Sequence, residues 1–502
     1  MEFRAEKAKR AAGALRLLAG FAKGAPPNLM RQAVTACVVP VALFAAEAWW
    51  PPPNAPTRRA KGLALKVDLA LRVALRAALP VYRTTPIYLL HHAAGLPPAE
   101  ILLDHVSRRA AIRLSRLDPA HPSRRGARAS RPSRLQQIAT LPPFRPERVN
   151  PLALGAAEIP APSGYIPTPG APKAQQAEDF LAWKAQQHPR DMWVYSDGSK
   201  LSDGRAGGGW AVVCLDRIIA SGSESYGPYV EVYDAEVRAL CSGLEAASEC
   251  AAAPQANSLW ACLDNQAAAE QARSGRPTGT SQKTLQQAAG LLRQWPGRPR
   301  PPMLRPDLFP AGCASTVWIP GHAGLPGNEL ADSLAAQAAS RPLSTHPTGA
   351  SLAGAERWAR DALRDAFRDW WTTQPIPPIG PLPPPRPGPP GELSLPRSHL
   401  HRILAARSGH GDFADYHERF GHADAELQCR CGVRKTPIHF FSCRLARHKD
   451  LLGRYKGRCL TREDLLTTPE GAKAFSTWLA ETDFFQRSGR QQVTQRTNNS
   501  IH

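Results

Sequence analysis

The chain has 502 residues, room for two to four domains, and its 63 Lys and Arg against 42 Asp and Glu leave a net charge of +21. Such an excess suits a polyanionic partner, because cationic groups neutralise phosphates and release counterions. The ten cysteines are mostly scattered, which excludes a disulfide scaffold and points to a reduced, intracellular protein, nucleus or cytoplasm left open.

Residues 1–118 read as a helical segment, with amphipathic stretches around Glu6–Ala22, Leu29–Ala46 and Leu63–Ala78. The start, Met1 to Arg10, is charged with no apolar core behind it, so no secretory signal is expected. The apolar stretch Val38–Trp50 is broken by Pro40 and Glu47 and is too short to span a bilayer, so no membrane partner is expected. Residues 119–188 form a Pro/Arg-rich linker with little periodicity.

Residues 189–342 change character. Met192–Tyr195, Gly209–Leu215 and Arg217–Tyr226 are apolar and β-branched runs bounded by turn residues, and they predict three strands of a meander. Val237, Leu240, Cys241 and Leu244 recur at helical spacing behind Glu236. Ser258–Leu263 and Thr316–Ile319 predict two further strands, and a helix opening near Asn328 carries Leu330, Leu334 and Ala338 with Asp332 in its first turns. Strands and then alternating helix and strand predict an α/β fold: a five-stranded mixed sheet flanked by helices. Pro296–Gly312 reads as an inserted surface loop. Residues 343–392 hold a helix, Ala355–Trp371, with Trp358, Phe367, Trp370 and Trp371 as its sticky positions. Ten prolines over 375–390 then predict a polyproline-like spacer. A small C-terminal module spans 393–485, and 486–502 is a disordered tail. No repeat of solenoid period is present.

Four acids stand in distinct settings. Asp197 closes Trp193-Val194-Tyr195-Ser196-Asp197-Gly198-Ser199. Glu236 lies in Ala235-Glu236-Val237-Arg238-Ala239-Leu240, and Asp264 precedes Asn265. Asp332 follows Pro320-Gly321-His322 and Gly327-Asn328-Glu329-Leu330-Ala331. Carboxylates at the ends of apolar strands are partly desolvated, and four gathered together raise one another's pKa. A divalent cation relieves both, and hard oxygen ligands favour Mg²⁺ or Mn²⁺. His322, between Gly321 and Gly324, sits on a segment able to move and can shuttle a proton near neutral pH. In the last module, Cys429-x-Cys431-x₇-His439-x₃-Cys443 has a spacing that can close a tetrahedral Zn²⁺ site.

The ordered set of acidic motifs resembles ribonuclease H of type 1, over roughly residues 190–340. The resemblance implies an enzyme that cuts the RNA strand of an RNA–DNA hybrid. It also implies two Mg²⁺ ions on Asp197, Glu236, Asp264 and Asp332, with His322 as the mobile-loop histidine. Gly198, Ser199, Asn265 and Asn328 would then flank the substrate. One departure is that the region after Asp264, a basic substrate handle in some members, holds chiefly Lys283 and Arg293.

A second resemblance rests on Glu47-Ala48-Trp49-Trp50, Leu79-Pro80-Val81-Tyr82-Arg83-Thr84-Thr85-Pro86, Ala94-Gly95-Leu96-Pro97-Pro98 and His121-Pro122. These look like the segment downstream of the polymerase palm in fungal non-LTR (LINE-type) reverse transcriptases. The paired aspartates of a palm are absent; Asp412-Phe413-Ala414-Asp415 has one Asp where two adjacent ones are needed. The expectation is a fragment whose polymerase is missing, served by a separate polymerase chain. The Cys/His set, with Arg407–Phe413, His417 and His422, resembles the zinc-knuckle-like region of the same elements. That implies contact with single-stranded RNA or DNA. An inactive remnant of such an element, and a binding protein acting through the basic linker and zinc module, are the rival readings.

Overall fold

In the computed structural model the described residues are 2–19, 24–52, 57–117, 121–122, 134–146, 157–165, 170–274, 277, 279–304, 309–342, 349–443, 464–465 and 468–481. The tail 486–502, Cys459 and much of the stretch 119–156 lie outside them. The chain divides into two compact units, residues 108–359 and residues 1–107 together with 360–502.

The unit 108–359 is built on five strands: β1 Met192–Lys200, β2 Ala206–Cys214, β3 Arg217–Gly227, β4 Leu259–Leu263 and β5 Ala314–Trp318. Their order is β3-β2-β1-β4-β5. The first three pair antiparallel; β1-β4 and β4-β5 pair parallel. This is the expected mixed α/β sheet, with each strand moved by only a few residues. The largest change is that β1 runs past Asp197 to Lys200, because Gly207, Gly208 and Gly209 pair with Ser199, Gly198 and Asp197 instead of bounding a turn.

The helices of this unit are α1 Lys173–Ala185, α2 Val232–Glu249, α3 Gln266–Arg273, α4 Gln282–Gln294, α5 Pro326–Ser340 and α6 Leu352–Thr372, the last running past Ala359 into the other unit. Alternation along β1 decides which side each covers. Met192 and Val194 pack with Val237, Leu240, Leu244, Leu285 and Leu292 of α2 and α4. Trp193 and Tyr195 face the other way, into a cluster with Phe180, Trp183, Trp260, Val317 and Ala331. Helix α1 falls inside the stretch 119–188 expected as linker. Its period is masked by polar neighbours, but Phe180 and Trp183 bind it to Trp193 and Trp260 through edge-on ring contacts. Residues beyond 342 also belong here. Phe144 packs against Tyr229 and Trp358, and Ser351 N donates to Tyr229 O at 3.0 Å. The insertion Pro296–Gly312 is pinned where described, since the Arg298 and Arg300 guanidiniums donate to carbonyls of Ala253, Pro254, Ala256 and Phe309.

The other unit joins the N-terminal helices and the C-terminal elements in one core, with Leu71, Leu75, Leu90 and Leu103 packed beside Leu400, Ile403, Phe413 and Phe475. Ile379 and Leu382 of the proline-rich stretch are buried in the same core, so this stretch is packed where a free spacer was expected. The run Pro27–Trp49, 23 residues with hydropathy 1.7, is long and apolar enough to cross a membrane by length and composition. It is longer than the stretch Val38–Trp50 suggested, because Pro40 falls at the start of a helical turn just after a π-turn over Val34–Val38, where its missing N–H is tolerated. Met30, Val34, Val38, Ala42 and Ala46 form its inward stripe.

Candidate active site

Asp197 lies just beyond Tyr195↔Cys262, the last pair joining β1 to β4, and Asp264 follows the end of β4 directly. Helix α2 brings Glu236 alongside. Gly198 makes that approach possible, since a Cβ there would stand 2.5 Å from Glu236 N. Ligand atoms of Asp197, Glu236 and Asp264 all lie within 4.8 Å of one another. Asp332, on the second turn of α5, belongs with His322 and Glu329 in a second such group, and its charge is among those that raise the Asp197 carboxyl. The four predicted acids are therefore contiguous, three buried or half-buried at the sheet edge and the fourth reaching in from the helix.

Electrostatics matches the crowding. Burial, then the Asp264 and Asp332 charges, pushes the Asp197 carboxyl up to about 7, although Gly198 N donates to its Oδ1 at 2.6 Å. Burial and the neighbouring Asp264 and Asp197 push Glu236 up to about 8 against a bond from Asn265. Asp264 is raised by burial too, with His322 and Lys173 opposing. Among the described residues no Lys or Arg pairs with Asp197 or Glu236, and Glu236 Oε2 is buried with no hydrogen-bond partner. An orphaned carboxylate oxygen inside a triad of acids fits a divalent cation, which supplies the missing charge and accepts the spare lone pairs.

His322 is 71% exposed on its side chain, with Nδ1 3.6 Å from Asp332 Oδ2, too long for a hydrogen bond. Its φ is +53°, a strained region for a non-glycine residue and one that clusters at functional loops. The loop lies against the acids, because a Cβ on Gly321 would meet Asp264 Oδ2 at 2.4 Å. The residues expected to flank substrate divide in use. Asn265 caps α3 through Ala268 N at 3.1 Å, and Gly198 serves packing. Ser199 is half-buried, and Asn328 is buried with its Oδ1 unpartnered. Of the expected basic handle, Arg293 is spent on the Ala157 carbonyl, at 2.9 Å from Nη2.

Three side chains that motif matching missed adjoin this site. Glu329 joins His322 and Asp332, and Gly324 N donates to its Oε1 at 3.2 Å. Lys173 Nζ donates to Gly321 O at 2.9 Å. Glu231, at the N-cap of α2, holds Lys200 and Arg357, and these two bonds outweigh its burial and keep its carboxyl below the usual range. Arg357 lies beyond the predicted domain, so no local pattern ties it to the site.

In the other unit, Cys429, Cys431, His439 and Cys443 bring one ligand atom each within 4.8 Å of one another. Cys429 Sγ and Cys443 Sγ are 3.7 Å apart, and Cys431 Sγ and His439 Nε2 are 3.2 Å apart. A tetrahedron with Zn–S bonds of about 2.3 Å has S···S edges of about 3.8 Å. A tight turn sets the first pair, with Gly432 at φ +90° and Gly432 N donating to Cys429 O at 2.8 Å. Burial and the adjoining thiols push Cys429 up to about 11. Exposure here is inverted: Val433 and Ile438 are exposed, while Cys429, His439 and Cys443 are buried. That donor set and inversion fit a soft, thiophilic ion. Elsewhere Cys214, Cys241 and Cys262 are buried as small apolar side chains, whereas Cys37 and Cys313 are exposed.

No family model matches the chain, and no curated protein matches it. Similar solved structures include the N-terminal RNase H domain of a Mycobacterium tuberculosis protein, solved as a fusion with maltose binding protein, at 21% identity over 30% of this chain and 93% of that one, TM-score 0.22. RNase H1 of Halobacterium salinarum is 24% identical over 30% of this chain and 96% of that one, TM-score 0.21. The protease-reverse transcriptase of prototype foamy virus is 20% identical over 31% of this chain, TM-score 0.24, and only 22% of that protein is covered.

Proposed function

We propose that this chain is a divalent-metal-dependent ribonuclease acting on the RNA strand of RNA–DNA hybrids. The observation that carries the reading is the gathering of Asp197, Glu236 and Asp264 at one sheet edge, with the Asp332 charge felt by Asp197 and, among the described residues, no Lys or Arg paired with Asp197 or Glu236. Asp197, Glu236 and Asp264 would hold one Mg²⁺ and Asp197 with Asp332 the other, Mn²⁺ being an alternative. Such ions supply a water of lowered pKa and neutralise the leaving oxygen. Asp197 would be the carboxylate shared between the two ions. His322, exposed on its strained loop beside Asp332, would move a proton to or from the reacting oxygens. Glu236 would meet a ribose 2′-OH, the group that separates RNA from DNA.

Other parts of the reading rest on sequence motifs and on the thiol cluster. The cluster Cys429, Cys431, His439 and Cys443 would hold Zn²⁺ and contact single-stranded RNA or DNA. Descent from a LINE-type element and a separate polymerase chain as companion are proposed on the N-terminal motifs, and an intracellular setting on the free thiols. Co-purification that yields no polymerase activity would count against the companion.

The test is a substrate panel. With Mg²⁺ the full chain should cut the RNA of a hybrid, leaving 5′-phosphate and 3′-hydroxyl ends, and spare single-stranded RNA and duplex DNA. Hybrid binding without cleavage would support the binding-protein alternative, and inert protein would support the inactive remnant.

A further inference from the structure

Beside β5, the unit 108–359 holds a cavity of about 400 Å³ whose lining includes none of the four acids. That is near the lower end of the roughly 300–1,000 Å³ typical of small-ligand sites. The segment leading into α1 forms one wall and is firmly attached. Ile159 N donates to Arg273 O at 2.9 Å, and Ser315 Oγ donates to Pro160 O at 2.7 Å. Two flat rings line the space: Tyr165, packed against Phe180 and Trp183, and Trp318, whose Nε1 donates to Asp264 O at 2.8 Å. The cavity is thus preformed, with rings fixed by contacts outside it.

Its polar lining is unusual for two residues on one helix. Glu270 and Arg273 are three apart on α3, neighbours on one helical face, and both line the cavity. They do not pair. Glu270 Oε1 is held by Gln266 Nε2 at 2.8 Å. The Arg273 guanidinium has no carboxylate partner among the described residues, and its Nε is buried with no hydrogen-bond partner. The buried Tyr165 hydroxyl is likewise unpartnered. A site with a donor-only cation beside an acceptor-only carboxylate suits a flat ligand offering acceptors to the first and paired donors to the second.

We infer that this cavity binds a guanine base. Guanine alone among the four bases presents two adjacent N–H donors, N1 and N2, on one edge, matching a carboxylate, and the O6/N7 acceptor pair beside it, matching an arginine. Adenine and cytosine alternate donor with acceptor, and uracil offers a single donor. Tyr165 and Trp318 provide the stacking surfaces that any base can use, so the rings supply affinity and Glu270 with Arg273 supply the choice. The guanine can belong to a free nucleotide or to an unpaired guanosine of a nucleic-acid strand.

The test is calorimetric titration of the full chain in EDTA, which separates it from any nuclease activity, with guanosine, adenosine, cytidine and uridine 5′-monophosphates. Guanosine monophosphate should bind at least about tenfold more tightly than the other three. Glu270→Gln should erase that preference, and Arg273→Lys should weaken guanosine monophosphate selectively, while both variants keep cleavage of blunt hybrids. Competition with a single strand ending in unpaired guanosine identifies the source: displacement below the nucleotide's own concentration assigns the strand, and no displacement assigns the free nucleotide. Lack of binding at millimolar guanosine monophosphate, equal binding of all four nucleotides, or an affinity unmoved by Glu270→Gln would overturn the inference.

Discussion

The acid cluster and the thiol cluster each gather ligand atoms within 4.8 Å, but the chain holds them by opposite means. Asp197, Glu236 and Asp264 come from two strands and a helix whose cores, filled by Met192, Val194, Leu240 and Leu263, are complete without any ion. The strain of the site is then stored in the acids themselves, as pKa values raised to about 7 for Asp197 and about 8 for Glu236. Cys429 through Cys443 form a short stretch whose large apolar side chains Val433 and Ile438 are exposed. There Phe441 is stacked on Phe475, the buried donors lie beside exposed apolar side chains, and an ion would tie the donors together. A sheet can carry a costly charge cluster ready-made, whereas a short stretch that bound a metal would draw part of its folding energy from the ion.

Breaking each side should give different failures. Glu236→Gln is expected to reduce hybrid cleavage below detection and leave the fold intact, because an amide keeps the shape of Glu236 but lacks its charge. Circular dichroism alongside the cleavage assay checks both halves. Cys443→Ser should cost structure instead. Metal analysis should fall from one Zn²⁺ per chain to none, and limited proteolysis should open the chain near residues 427–443, since binding energy in small thiolate sites is folding energy. Intact zinc content in this variant would return the cluster to ordinary free thiols. His322→Ala should slow turnover by about 10²–10⁴-fold without abolishing it, the range of a positioned proton shuttle. A loss as complete as that of Glu236→Gln would make His322 a ligand.

The smallest effect is in stability against pH. Asp197 and Glu236 have folded pKa values above their unfolded ones, so their contribution is fully present below the ordinary carboxylate range and is lost as pH rises through about 7 to 8. In EDTA the thermal midpoint should therefore decline from pH 5 to pH 8 more steeply in the native chain than in Glu236→Gln. Mg²⁺ should flatten that decline, because a cation competes with the protons. Identical slopes with and without Mg²⁺ would separate the acids from metal binding.

What was legible in the sequence follows the same division. The acids sit in motifs of consecutive residues, and the strands around them are short apolar runs, so Asp197, Glu236, Asp264 and Asp332 could be found and the meeting of Asp197 with Asp264 at one edge foreseen. Less readable were contacts between distant residues that leave no local pattern. Helix α1 has its apolar anchors Phe180 and Trp183 among Gln, Lys and Glu, and it looked like linker. Arg357 reaches Glu231 from beyond the predicted boundary. The prolines of 375–390 suggested an open spacer, but Ile379 and Leu382 between them are buried. Proline content reports backbone stiffness and missing donors, and says nothing of whether the residues between are covered. The strand expected from Gly209 begins earlier, at Ala206, because close packing of α5 against β2 leaves no room for a Cβ at Gly207, which would stand 2.4 Å from Ala339 N, or at Gly209, which would stand 2.3 Å from Ala331 O.

The most direct test is cleavage of a short RNA–DNA hybrid by the full chain and by Asp197→Asn, each with Mg²⁺. Asp197 is the acid that both proposed metal sites would share, so its amide should leave a folded protein with no measurable RNA cleavage, while the native chain cuts. Hybrid-specific cleavage that persists in Asp197→Asn would contradict the assignment of the acid cluster as the catalytic centre.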